Sequence, residues 1–80
     1  MFHYVYILQS IPFPDHYYVG YTADIKKRLE KHNEGGVNYT SKYKPWKLKT
    51  VVCFGDKDKA LAFEKYLKTH SGRAFTSKHF

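Results

Sequence analysis

Five side chains in this sequence carry reactive chemistry: Tyr6, Tyr18, Arg28, His32 and Glu64. Taken one at a time, each has an ordinary structural explanation. Tyrosine is a good strand residue, an inward histidine is more often a hydrogen-bonded core residue than a catalyst, and an inward glutamate is usually half of an ion pair, here with Arg28. As a set, two phenols, a guanidinium, an imidazole and a carboxylate are much polarity to bury in an 80-residue chain for structure alone. Phosphodiester hydrolysis uses all five. A water must be deprotonated and aimed in line at phosphorus, which a Tyr or His can do if nearby positive charge lowers its pKa. The charge that builds on the phosphate suits Arg28. The leaving 3′ oxygen needs a Lewis acid such as Mg²⁺ (or Mn²⁺). One carboxylate, Glu64, is enough to hold Mg²⁺, because that ion keeps much of its hydration.

The elements that must position these groups follow from local pattern. Tyr4-Val5-Tyr6-Ile7-Leu8 and Tyr17-Tyr18-Val19-Gly20-Tyr21 alternate bulky residues and read as two strands, 3–9 and 16–21. The intervening Pro12, Pro14 and Asp15 make a hairpin connection. Gly20 marks a place where the absence of Cβ permits a close approach by another group. Thr22 or Asp24 caps a helix that starts near Ala23 and stops at Asn33-Glu34-Gly35-Gly36. At about 100° per residue, Ile25 and Leu29 define its apolar stripe, with His32 between them in angle and Arg28 at the edge. Lys26, Lys27, Glu30 and Lys31 point to water.

Residues 34–46 read as a loop in which lysines alternate with aromatic rings, a composition that can neutralise phosphates and stack on unpaired bases. Its candidate nucleic-acid contacts are Tyr39, Lys42, Tyr43 and Lys44, joined by Lys26 of the helix. Trp46 is expected to tuck into the core. Residues 47–54 form a third strand, whose apolar end resembles the centre of a sheet. Asp56 caps a helix over roughly 57–69, with Ala60, Phe63 and Leu67 inward and Glu64 inside the apolar arc. Gly72 ends that helix, and Phe75 covers the core. The expected class is α+β: a three-stranded antiparallel sheet flanked by helices, forming one domain over 1–80.

The formal charge is +7, from 14 Lys and Arg against 7 Asp and Glu. That balance favours phosphate-rich partners over acidic small molecules. Twelve of the cations are lysine, which suits attraction to a backbone better than bidentate reading of bases. Cys53 has no cysteine to pair with; lying in an apolar run, it is expected to be a buried thiol in a reducing compartment. No apolar stretch is long enough to span a membrane, and the N-terminus lacks the pattern of a signal peptide, so the cytoplasm is the default.

The hairpin resembles the opening of a GIY-YIG nuclease domain, with Tyr4-Val5-Tyr6 at the GIY position and Tyr18-Val19-Gly20 at the YIG position. Arg28, His32 and Glu64 fall where such domains carry their other active-site residues. The resemblance extends over almost the whole chain and is strongest to the small stand-alone branch of the family. It implies a metal-binding role for Glu64, the family's arginine at Arg28, and its two motif tyrosines at Tyr6 and Tyr18. His32 falls at a position that is His in many members, as the base or as the activator of Tyr6. Many members also carry an Asn after the glutamate helix; Lys68-Thr69-His70-Ser71-Gly72-Arg73 has none. Most well-defined nucleases of the family carry a further domain that selects the DNA, for which 80 residues leave no room. The resemblance therefore implies Mg²⁺-dependent cleavage of DNA, with RNA not excluded, little sequence preference, and a larger partner supplying the targeting. The alternative is a non-catalytic nucleic-acid-binding module that keeps the nuclease fold.

Overall fold

Val5, Tyr6, Ile7 and Leu8 are consecutive, and all four are buried. A strand buries such a run only when both its faces and both its edges are covered. The computed structural model, which describes residues 1–69, places this strand, β1 (His3–Ser10), in the middle of the sheet. β2 (Tyr17–Thr22) lies on one side of it and β3 (Trp46–Phe54) on the other. Both pairings are antiparallel, with Tyr6 opposite Gly20 on β2 and Val51 on β3. The remaining elements are α1 (Ile25–Asn33), the single turn α2 (Asn38–Ser41) and α3 (Lys57–Leu67). The α+β class and the three-stranded antiparallel sheet are as the sequence predicts.

The period-2 alternation of β1 separates two cores. Val5 and Ile7 point to one face, where they pack with Ala60 and Leu67 of α3 and with Val19, Tyr21, Phe54 and Phe63. Tyr6 and Leu8 point to the other, against Trp46, Tyr18, Tyr43 and the Ile25 and Leu29 stripe of α1. Both long helices start as predicted. The Asp24 carboxylate accepts from the Lys27 amide at 3.1 Å, and that of Asp56 accepts from the Asp58 and Lys59 amides at 2.8 and 3.3 Å. α1 stops where Gly35 takes φ +82°, a value that costs glycine nothing.

Four expectations are corrected. The third strand is an edge strand and does not sit at the sheet centre. Val52 and Phe54 are half-buried on the α3 side, while Val51 and Cys53 are exposed on the other face. An apolar run looks the same in an edge strand, but there only one face is covered. For the same reason the Cys53 thiol is exposed and not buried. Residues 34–46 are not all loop: they contain α2, and Trp46 already belongs to β3. α3 ends at Leu67, two residues before the predicted limit. The expectations for Gly72 and Phe75 lie outside the described residues.

Trp46 is buried, as expected, and it locks the irregular segment. Its indole N–H donates to the Thr40 carbonyl at 2.8 Å. Its backbone amide donates to the Asn33 side-chain oxygen at 2.6 Å, and the Asn33 amide nitrogen donates to the Trp46 carbonyl at 3.2 Å. The end of α1, the turn α2 and the start of β3 are thereby tied together over the Tyr6 face.

Candidate active site

Tyr6 and Tyr18 enter the site from neighbouring strands, on the face covered by α1. Their rings lie 6.3 Å apart. Gly20, directly opposite Tyr6, has no Cβ because one would overlap the Tyr6 ring and hydroxyl. The glycine of the motif is thus what lets the phenol lie flat over β2. One turn separates Arg28 from His32 on α1, so both come to the same face. His32 is buried and Arg28 half-buried, whereas Lys26, Lys27, Glu30 and Lys31 are exposed, in the division that the helical angle predicts.

The centre of the site is a chain of hydrogen bonds. The Tyr6 hydroxyl and His32 Nε2 are 2.9 Å apart, and both groups are fully buried. On the other side of the ring, His32 Nδ1 is 2.8 Å from the Thr40 hydroxyl. That hydroxyl donates its one hydrogen to the Val37 carbonyl at 3.3 Å. It therefore accepts from Nδ1–H, leaving Nε2 unprotonated to accept from the Tyr6 O–H. This tautomer, assigned from the network, satisfies every group. Among the described residues no buried side-chain nitrogen or oxygen lacks a partner.

Electrostatics support the same assignment. Burial holds the His32 imidazole below its ordinary value of 6.5, and the charges of Arg28 and Lys31 push it the same way. His32 is accordingly neutral at pH 7. Burial pushes the Tyr6 phenol up to about 12, with Tyr18 adding to the effect; Arg28 opposes it by charge and hydrogen bonding, and Glu64 reinforces it. A free Tyr6 phenolate is therefore scarce at neutral pH. The phenol loses its proton only to an acceptor already in contact, and that acceptor is Nε2.

Nothing in the sequence marks Thr40 as part of the site. It lies in a single turn with no periodicity, and its partner is eight residues away; only its burial reveals the role. Replacing it with the nearly isosteric valine strands the buried Nδ1–H and should cost about 1–3 kcal/mol; Thr40→Ser should restore most of that. The wild type should also lose stability as pH falls. Because the folded pKa of His32 is depressed, the unfolded chain binds the proton first, so stability declines from 6.5 downward toward the folded value. Thermal melts between pH 7.5 and 5, with His32→Asn as reference, check this: the variant should show a shallower slope.

Glu64 arrives differently. Its helix packs against the opposite face of the sheet, and its carboxylate accepts from Lys68 Nζ at 3.1 Å, one turn along α3. Among the described residues this is the one ion pair, so the cation beside Glu64 is Lys68 and not the expected Arg28. The side chain of Glu64 is 20% exposed, and its charge is felt at the Tyr6 hydroxyl. The structure thus brings Tyr6, Tyr18, Arg28 and His32 together on one face, while Glu64 acts on this set through its charge at Tyr6 alone. Of the other candidates, Lys26, Lys42, Lys44 and Tyr39 are exposed and Tyr43 is half-buried.

A hairpin with a tyrosine on each strand, followed by a helix that carries Arg28 and His32 to the same face, is the arrangement that the resemblance to GIY-YIG nuclease domains implies. The chain belongs to this family: the family model described as the GIY-YIG catalytic domain matches residues 2–78. It is 42% identical over 67 residues to a UPF0213 protein of Bacillus licheniformis, covering 82% of this chain and 67% of that one. It is 38% identical over 74 residues to the structure-specific endonuclease subunit SLX1 of Debaryomyces hansenii, where the match covers 84% of this chain but 21% of the relative. Among solved structures, the solution NMR structure of a UPF0213 protein from Bacillus halodurans superimposes with a TM-score of 0.59 at 32% identity. That match spans 98% of this chain and 84% of the other.

Proposed function

We propose that this chain is a divalent-metal-dependent endonuclease that hydrolyses phosphodiester bonds of DNA. The observation that carries the reading is the hydrogen bond from the Tyr6 hydroxyl to a buried, neutral His32, with the Arg28 guanidinium beside the phenol. Both His32 nitrogens are engaged, by Tyr6 and by Thr40, so the imidazole reaches a water only through Tyr6. Tyr6 takes a proton from the attacking water as it passes its own to Nε2. Thr40 holds the ring in the accepting tautomer throughout. Arg28 meets the charge that develops on the phosphate oxygens, and Tyr18 lies beside His32, with 4.9 Å between the two rings. Stand-alone attack by a phenolate is disfavoured by the raised pKa of Tyr6.

The donor set fits a hydrated ion. Glu64 offers a single, partly accessible carboxylate, and no group of three His, Cys, Asp or Glu side chains converges among the described residues. Mg²⁺ or Mn²⁺ needs no more than this from the protein, since water fills its other positions. When bound, such an ion supplies the Lewis acid for the leaving 3′ oxygen. Glu64 must then let go of Lys68, at little cost for an exposed pair on one helix.

The likeness to a structure-specific endonuclease subunit supports DNA as the substrate, with a partner subunit supplying the targeting. No helix among the described residues is long and apolar enough to cross a membrane. The test is to incubate the protein with flap, branched, single-stranded and duplex DNA in Mg²⁺, Mn²⁺ or chelator. Cleavage in metal and none in chelator is expected. Binding without cleavage of any substrate in either metal would leave the non-catalytic binding module as the better account.

A further inference from the structure

We infer that a row of aromatic rings leading away from the catalytic tyrosines is a binding track for unpaired bases, so that the substrate carries a single-stranded DNA segment next to the phosphate that is cut. The choice of DNA rests on the nuclease reading above; the stacking surface stands on its own geometry. The row starts at Tyr18, whose ring lies 4.9 Å from that of His32. Tyr39 follows at 6.1 Å and Tyr43 at a further 6.1 Å. His16 stacks on Tyr43 at 4.1 Å with the planes 17° apart, and Phe13 closes the row, 6.1 Å from His16.

Phe13 and His16 come from the β1–β2 connection, Tyr18 from β2 itself, and Tyr39 and Tyr43 from the segment around α2; hydrogen bonds join the connection to that segment. The Ser10 hydroxyl donates to the Tyr43 carbonyl at 2.6 Å, and the Ile11 amide donates to the Pro45 carbonyl at 3.0 Å. The turn α2 serves both sites: Thr40 points inward to His32 while the adjacent Tyr39 stands outward. Two platforms are free to stack, Tyr39 at 56% exposure and Phe13 at 50%. A ring held this openly contributes little to folding, but it offers a flat π-face at low entropic cost.

Charge identifies the occupant. Lys42 and Lys44 bracket Tyr43, and the segment that holds them, residues 35–55, contains no Asp or Glu. Flat rings interleaved with cations match a strand that offers base faces and phosphates together. A duplex keeps its base faces stacked inside, so it could use the lysines but not the rings.

The experiment uses fluorescence anisotropy in the presence of chelator, so that binding is read without cutting. The probes are a labelled single-stranded DNA of roughly 12 nucleotides, the same strand with abasic sites, its duplex, and an RNA of matching sequence. The single strand should bind more tightly than the duplex or the abasic strand. Tyr39→Leu and Phe13→Leu should each weaken single-strand binding about tenfold, leave duplex binding unchanged and keep the wild-type melting temperature. Tyr39→Trp should retain single-strand affinity. Equal affinity for single strand and duplex, or leucine variants that bind the single strand like wild type, would overturn the inference; tighter binding of RNA would overturn its assignment to DNA. The two readings fail separately. A protein that cuts DNA with no preference for single strands loses the track and keeps the nuclease. One that binds single strands through these rings yet never cuts loses the nuclease alone.

Discussion

Exchanging Glu64 for glutamine should abolish metal-dependent cleavage while leaving the fold nearly untouched. The substitution keeps the shape of the side chain and removes the charge that would hold the ion. A Lewis acid is worth several kcal/mol to the transition state, so the rate should fall roughly 10³-fold or more. The structure separates this outcome from a purely structural role. Had Glu64 been buried against Arg28, the same change would cost about 3–5 kcal/mol of stability. Its partner is instead Lys68, whose side chain is 51% exposed, and an exposed pair one turn apart is worth about 0.5 kcal/mol or less. The melting temperature should therefore move by a few degrees at most. DNA binding should persist, slightly tightened by the loss of a negative charge from a basic protein. Melting curves and cleavage rates of the variant check both halves.

The second large effect is expected at Arg28. Arg28→Ala should lower the rate of the chemical step roughly 10²–10³-fold, the usual cost of losing a group aimed at transition-state charge. Arg28→Lys should recover only part of this, because it keeps the charge but not the planar fork. An independent readout exists at equilibrium. Arg28 is one of the causes that depress the His32 pKa and the one that opposes the rise at Tyr6. Removing it should let His32 titrate closer to 6.5 and drive Tyr6 still higher, which an NMR titration of the two rings would show. Wild-type cleavage by Arg28→Ala would make the residue structural.

Much of this site is legible in the sequence because its residues sit on elements of fixed period. Alternation along 3–9 puts Tyr6 on one face of a strand, and a four-residue step puts Arg28 and His32 on one face of a helix; both placements agree with the structure. Asp24 and Asp56 announce the helix starts through their side-chain oxygens. Legibility ends where a contact depends on tertiary placement. Thr40 meets His32 only because Trp46 folds the intervening segment back over α1. Cys53 is exposed against expectation because Val51-Val52-Cys53-Phe54 looks equally apolar at the edge of a sheet and at its centre. The Glu64–Lys68 pair, by contrast, stood in plain view as an acid four residues before a base on a helix.

Tyr6, His32, Arg28 and Glu64 are together expected to form a working hydrolytic centre. Its most direct test is single-turnover cleavage of end-labelled flap DNA by wild type and Glu64→Gln, prepared in parallel, as Mg²⁺ is titrated. Product should appear with wild type, rise to saturation with the ion and vanish in chelator, while the variant, folded and DNA-bound, yields none. Equal cleavage by the two proteins, or a wild-type rate indifferent to chelator, would contradict it.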